Sequence, residues 1–268
     1  MPKVRVGDID IYYERKGDER LPRLLFISGT GGDLRLKPGT LDGVWPKHFD
    51  TLVYDQRGLG QSGKPDRPYT MADYADDAAG LMRAIGWQSA RVIGVSFGGM
   101  VAQELVLRHP QMVERLVLAC TSPGGAGGSS YPLHTIQHLS AEERARHMVP
   151  ISDTRHDTAW AKAHPSEYRL LTTMINPYAG EPGYAVGAAR QIEARAHHDT
   201  WDRLPQIRCP VLIAGGLYDG MALPETQEKM ARRIPRAELQ MFEGGHGFMM
   251  QDARAVPALI SFLERKDI

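Results

Sequence analysis

One serine in the chain stands between spaced glycines: Gly94-Val95-Ser96-Phe97-Gly98, a G-x-S-x-G frame with Gly99 behind it. A serine hydroxyl is a poor nucleophile until a base removes its proton. The frame matters because it can set the hydroxyl on a sharp strand-to-helix turn, clear of the sheet. Side chains in place of the flanking glycines would collide with the crowded backbone of such a turn. A helix starting at Phe97 would aim its free N–H groups at the same spot, where negative charge can be stabilised. Ten histidines are candidates for the base. His246, in Phe242-Glu243-Gly244-Gly245-His246-Gly247-Phe248, follows the last strand-like run directly. It therefore shares the sheet edge of Ser96, the edge where α/β sheets place ligands. An imidazole in this role needs an acid to fix its tautomer and stabilise its cation. Asp219, in Gly215-Gly216-Leu217-Tyr218-Asp219-Gly220, lies just past another strand-like run. Asp199 and Asp202 are rivals, but they fall in or next to a helical stretch and read as surface or capping residues.

These positions require strands that end at one edge, and the pattern supplies them. Ile9–Tyr13, Leu24–Ile27 and Thr51–Tyr54 are short apolar or β-branched runs closed by loop residues, as strands buried on both faces should be. Thr70 and Asp73 form a capping-box pair that opens a helix over Met71–Ile85, closed by Gly86. Arg91–Val95 is a strand, Phe97–His109 a helix stopped by Pro110, and Val113–Ala119 a strand. This alternation predicts a mostly parallel sheet with helices on both faces. From Thr121 to about Pro205 the alternation stops. A glycine-rich connector, Ser122 to Ser130, reads as flexible and hinge-like. Helical pieces follow at Ser140-Ala141-Glu142-Glu143, Glu167–Ile175 and Ala185–His198. After Pro205 the sheet pattern resumes with the strand Val211–Ala214, the helix Pro224–Arg233, the strand Glu238–Phe242 and the helix Val256–Glu264. The domain reading is a core of residues 1–122 and 206–268 with a helical insertion at 123–205.

The 268 residues suit one large domain or one domain with an insertion. Lys+Arg and Asp+Glu are 32 each, which excludes a strongly basic nucleic-acid binder and a polybasic membrane anchor. The balance favours neither a monomer nor an oligomer. Two cysteines, Cys120 and Cys209, cannot make a disulfide framework and suit reducing surroundings. The first residues lack the apolar core of a signal peptide, and no apolar run approaches the roughly 18 residues of a spanning helix. The expectation is a cytoplasmic globular enzyme acting on a small molecule, without nucleic-acid or membrane partners.

With these pieces assembled, the chain resembles the α/β-hydrolase superfamily, in its small cap-bearing esterase, lactonase and C–C hydrolase branch. The matching segments are Ser28-Gly29-Thr30-Gly31-Gly32, Asp55-Gln56-Arg57-Gly58-Leu59-Gly60-Gln61-Ser62, Gly94–Gly99, Gly216-Leu217-Tyr218-Asp219 and Gly244-Gly245-His246. The chain order Ser96, Asp219, His246 is also that of this fold. The resemblance implies an oxyanion hole made by the backbone N–H groups of Phe97 and Thr30. The usual His-Gly of that loop is Ser28-Gly29 here, so the loop lacks its customary brace. It also implies that the Asp55–Ser62 segment is a structural turn in which Asp55 and Arg57 make ion pairs or hydrogen bonds.

Other signals carry less. Gly58 to Gly63 fits G-x-G-x-x-G, and Lys64 after it nearly completes a phosphate loop. Pro65 replaces the Ser or Thr that would hold magnesium, and Lys64-Pro65-Asp66-Arg67-Pro68 cannot open the required helix. His134 and His138 are four apart, and His197-His198 are adjacent, but a third ligand is not evident and no metal site is expected. Cys120 reads as a small core residue. Trp160, Tyr168, Tyr178, Tyr184 and Trp201 could roof a pocket under the insertion, and Met249 and Met250 could shape it. The pocket residues assigned at this level are Ser28, Gly29, Met249, Trp160 and Tyr168. The expected activity is hydrolysis of a small-to-medium carboxylic ester or lactone by Ser96, His246 and Asp219, without a cofactor. The rivals are C–C bond hydrolysis of a vinylogous diketone, cofactor-free perhydrolysis, and slow-turnover ligand reception on the same fold.

Overall fold

The computed structural model describes residues 2–173 and 176–266. Eight strands form one sheet: β1 (Lys3–Val6), β2 (Ile9–Lys16), β3 (Arg23–Ile27), β4 (Asp50–Tyr54), β5 (Ala90–Val95), β6 (Val113–Ala119), β7 (Val211–Gly216) and β8 (Ala237–Phe242). Their order is β1-β2-β4-β3-β5-β6-β7-β8. β1 and β2 run antiparallel to their neighbours, and every later pairing is parallel. The carboxyl ends of β3 and β5 to β8 therefore lie along one edge.

The helices are α1 (Trp45–His48), α2 (Met71–Ala84), α3 (Phe97–Arg108), α4 (Ala141–Ser152), α5 (Thr158–Ala163), α6 (Pro165–Thr173), α7 (Tyr184–Ala196), α8 (Pro224–Arg233), α9 (Phe248–Gln251) and α10 (Ala255–Glu264). Side-chain alternation along the strands divides the core between the two sheet faces. Leu25 and Ile27 of β3 join Leu116, Leu118 and Ile213 against α2, α3 and α8. Leu24 and Phe26 join Val117, Leu212 and Ala214 against α1, α9 and α10. β4 and β7 are buried along their whole length, which is why they read as unbroken apolar runs. The chain has the α/β-hydrolase fold.

The capping boxes are present as read. Thr70 Oγ1 accepts from the Asp73 N–H while the Asp73 carboxylate accepts from the Thr70 N–H. Ser140 and Glu143 do the same for α4. Three features depart from the sequence reading. β1 is an edge strand of alternating basic and apolar residues, turned back on β2 at Gly7 with φ of 53°. α5 is a short helix started by the Asp157 carboxylate, which accepts from the Trp160 N–H. The Ser122–Ser130 connector, expected to be flexible, is packed against the returning chain. Gly124 pairs with Asp199, and the Thr200 N–H donates to the Pro123 carbonyl at 2.8 Å. A Cβ on Gly124 would overlap the His198 carbonyl, so these glycines permit a close approach rather than a hinge. Of the predicted helix Glu167–Ile175, the end at Ile175 lies outside the described residues. Among the described residues, no helix is long and apolar enough to cross a membrane.

Candidate active site

β5 delivers Ser96 to the edge and α3 leaves from it. Ser96 adopts φ 55°, ψ −116°, a conformation that costs a non-glycine residue about 1–3 kcal/mol. Tertiary bonds hold it there: its N–H donates to the Ala119 carbonyl, and its own carbonyl accepts from Thr121 Oγ1, both at 2.8 Å. The glycines are required by contact. A Cβ on Gly94 would strike the Gly98 carbonyl, and one on Gly98 would strike the Ile27 and Ser28 carbonyls. Gly98 therefore lets the start of α3 sit directly against the loop that follows β3.

The turn after β7 brings in Asp219, and the loop after β8 brings in His246. His246 Nε2 lies 2.8 Å from Ser96 Oγ, and its Nδ1 lies 2.9 Å from Asp219 Oδ2. Asp219 is almost fully buried, and its other oxygen, Oδ1, accepts the N–H groups of Met221 and Ala222 at 2.8 and 2.9 Å. That pair of donors fixes the carboxylate plane and leaves Oδ2 for the imidazole. The three residues form one hydrogen-bonded row from a buried acid to a hydroxyl. This is the arrangement in which serine can lose its proton as it attacks a carbonyl.

The insertion helps to build this row. The last residues of α4 and the turn after it bond to both the Asp219 loop and the His246 loop. The His246 N–H donates to the Ser152 carbonyl at 2.6 Å, the Gly220 N–H to the Ile151 carbonyl at 3.0 Å, and the Thr154 N–H to the Tyr218 carbonyl at 2.9 Å. Sequence reading missed this strap, because backbone bonds leave no side-chain signature.

The β3 loop lies on the other side of Ser96. Gly29 is so close that an added Cβ would sit 3.5 Å from Ser96 Cβ. Phe97, the first residue of α3, directly follows Ser96, and Thr30 directly follows Gly29 in the loop. Two glutamines brace the loop in place of the customary histidine. Gln56 Nε2 donates to the Ser28 carbonyl at 2.8 Å, and Gln191 Oε1, from α7, accepts the Gly31 N–H at 2.9 Å. Gln191 is buried, and its Nε2 has no partner among the described residues. The missing histidine was the available signal that another brace was needed, but nothing in the sequence pointed to Gln191.

Thr30, Gly31 and Gln191 line a cavity of about 680 Å³ that runs between α4 and α7. Ala145, Met148 and Ile192 give it an apolar wall, and Arg144 is the one charged residue among its described lining. Of the five aromatic residues considered for a roof, Tyr184 lines this cavity. Trp160 is stacked between His156 and His164, with ring centroids 3.8 and 5.0 Å away. Tyr178 lies under the Arg35 guanidinium and Trp201 under that of Arg233. Tyr168 is half-buried on α6, outside the lining. Ser28 faces its own loop, where its Oγ lies 3.3 Å from Gln56 Nε2. Met249 packs on the core, and Met250 is exposed.

The model of the alpha/beta hydrolase fold family matches residues 22–253. The chain belongs to that family. A poly(3-hydroxyalkanoate) depolymerase of Ectopseudomonas oleovorans is 28% identical over 94% of this chain and 88% of its own length. A Caulobacter vibrioides protein provisionally named carbamate hydrolase RutD is 30% identical over 98% of this chain and 99% of its own. The crystal structure of an enol-lactonase from Burkholderia xenovorans LB400 superposes with a TM-score of 0.80 at 24% identity, covering 98% of this chain and all of that one. That last likeness is one of fold.

The remaining signals of this hydrolase take structural places. Lys64 caps its own turn by donating to the carbonyls of Gly60 and Ser62. Arg57 forms a two-pronged pair with Asp77 at 2.7 and 2.8 Å and reaches Asp8 at 3.2 Å. Asp55 accepts the Leu34 and Gln61 N–H groups, both at 2.8 Å, and burial pushes its carboxyl up to about 6. Asp199 caps the turn at Trp201, and Asp202 pairs with Arg233 on the surface. Cys120 is buried at the end of β6, where burial raises its thiol far above the usual range. Among the described residues, no group of three His, Cys, Asp or Glu side chains could hold a metal ion.

Proposed function

We propose that this hydrolase cleaves a small-to-medium carboxylic ester or lactone through an acyl-enzyme on Ser96. Ser96 Oγ attacks the carbonyl carbon while His246 Nε2 takes its proton. Asp219 holds Nδ1 and stabilises the imidazolium. The N–H groups of Phe97 and Thr30 receive the oxyanion. His246 then protonates the departing alcohol and activates the water that releases the acid, so no cofactor is called for. The segment 123–205 acts as a cap and sizes the pocket. The carrying observation is the Ser96–His246–Asp219 row beside the loop after β3, whose Thr30 and Gly31 line a largely apolar cavity of about 680 Å³. A volume of this order suits a small organic ligand. A carbamate is the second reading, favoured by the full-length likeness to the Caulobacter protein, and it would use the same acyl chemistry.

The test is hydrolysis of p-nitrophenyl esters from acetate to decanoate by wild type and Ser96→Ala. Turnover that vanishes in the variant supports the serine mechanism, and the preferred chain length measures the cavity. A well-folded wild type inactive on the whole series, and on lactones, would overturn the reading and send the search to carbamates and vinylogous diketones.

A further inference from the structure

A second cavity, of about 250 Å³, lies at the base of the insertion. Both stems joining the insertion to the core contribute to its wall: Ser122, Ser129 and Ser130 from the outgoing stem, Arg195 and His198 from the returning one. Met100 of α3, whose N–H bonds to the Ser96 carbonyl at 3.3 Å, also lines it.

The wall is built of buried polar groups that the protein leaves incompletely matched. Arg195 is 6% exposed, His198 5% and Ser122 0%. Arg195 donates to the Tyr131 carbonyl at 2.7 Å and to Ser130 Oγ at 2.6 Å, and both acceptors are neutral. Arg195 Nε and Ser122 Oγ have no hydrogen-bond partner among the described residues, and neither ring nitrogen of His198 makes a well-formed hydrogen bond there. No carboxylate among them pairs with Arg195. Burial alone lowers the Arg195 guanidinium to about 10, with no opposing contribution from an acid. His198 is driven down to about 3 by burial, with the Arg203 and Arg195 charges adding to it and the Ser122 carbonyl opposing.

A guanidinium stays charged in a protein, and a buried charge without a counter-charge is costly. Elsewhere the chain follows the usual solution. The nearly buried Arg57 takes the Asp77 carboxylate in a two-pronged pair. At Arg195 a cavity lined by hydroxyls and an imidazole occupies the place of that carboxylate. We propose that this cavity binds a small monoanionic carboxylate, which accepts from the Arg195 guanidinium and from the Ser122 and His198 donors. One compensating charge matches one arginine, and the planar fork of guanidinium suits a carboxylate. The volume fits an acid of a few carbons. Such a ligand touches both stems, so its binding fastens the insertion to the core.

The site is separate from Ser96, and its test does not depend on the proposed hydrolysis. Acetate and propionate are titrated calorimetrically into wild type, with sodium chloride at matched ionic strength as reference, and melting is followed in parallel. Saturable one-to-one binding is expected, with a rise in Tm of about 2–4 °C near saturation, since a ligand of the native state alone stabilises it. Arg195→Met should weaken binding at least tenfold, and Ser122→Ala roughly threefold. If Arg195→Met fails to fold, Arg195→Lys and Ser122→Ala carry the comparison. The effect should persist in Ser96→Ala and in protein whose Ser96 is blocked by an organophosphate. No saturable binding up to 100 mM would mean a merely hydrated cavity and would overturn the proposal. So would binding indifferent to Arg195 and Ser122, or tighter binding of inorganic phosphate than of acetate.

Discussion

Asp219→Asn should abolish most activity while leaving the fold intact, and the geometry fixes the reason. Asp219 Oδ1 accepts two backbone N–H groups, from Met221 and Ala222, and Oδ2 faces His246 Nδ1. In the variant the amide oxygen must stay with the two N–H groups. Turning the amide over would set its NH₂ against both donors and leave them unsatisfied, at about 1–3 kcal/mol each. The NH₂ group therefore faces Nδ1, which must then accept. The proton moves to Nε2, which now donates to Ser96 Oγ and cannot take its proton. The wrong tautomer in such a row lowers kcat by about 10⁴, or roughly 5.5 kcal/mol of barrier. The assay is kcat and KM for p-nitrophenyl butyrate, with thermal melts of each protein and Asp202→Asn as a surface control. A variant that melts like wild type and keeps kcat within tenfold would refute both the tautomer argument and the role given to Asp219.

Three further outcomes can be checked. Gln191→Ala removes the acceptor for the Gly31 N–H, so kcat should fall about tenfold, the equivalent of one hydrogen bond, with little change in KM. An unchanged kcat would show that the loop needs no brace from α7. Gly98→Ala places a methyl group on the Ile27 and Ser28 carbonyls. It should cost about 3 kcal/mol and lower Tm by roughly 5 °C, and a wild-type melt would contradict the contact. His198, lowered to about 3 in the native state, resists a proton that the unfolded chain takes near 6.5. Stability should therefore fall as pH drops below about 6.5, by about 2 kcal/mol at pH 5 from this group. The Arg195 and Arg203 charges act in the same direction. Urea midpoints from pH 7 to 5, in chloride buffer, should decline less steeply in His198→Gln, and parallel curves would exclude the assignment.

What the sequence made legible was whatever has a local signature. Strands buried on both faces declare themselves as apolar runs, which is why β4 and β7 were readable and the alternating edge strand β1 was not. Ser96, Asp219 and His246 were readable because each sits beside glycines at the end of such a run, and the fold brings those ends to one edge. Contacts made by folding back were hidden. Gln191 is 160 residues from Gly31, and its amide is an ordinary helical glutamine until α7 packs on the loop. The aromatic residues of the insertion were ambiguous for the same reason. Only tertiary placement separates Tyr184, on the cavity, from Trp160, stacked between two imidazoles. The glycines of the connector misled, because the residue type that permits flexibility also permits close packing.

α4 has a double attachment. Ala141, Ala145 and Met148 line the large cavity, while the Ile151 and Ser152 carbonyls at its other end hold the loops of Asp219 and His246. The helix is 12 residues long, about 18 Å, so it reaches from the cavity wall to the loops of Asp219 and His246 as a lever. On the proposed mechanism, selectivity and rate would be mechanically joined. A graft that exchanges the insertion for another must carry the Ile151–Thr154 strap with the recipient core, or it will alter the base along with the pocket. Variation confined to the α7 wall, at Ala185, Ala188 or Ile192, can retune the pocket without pulling on that lever.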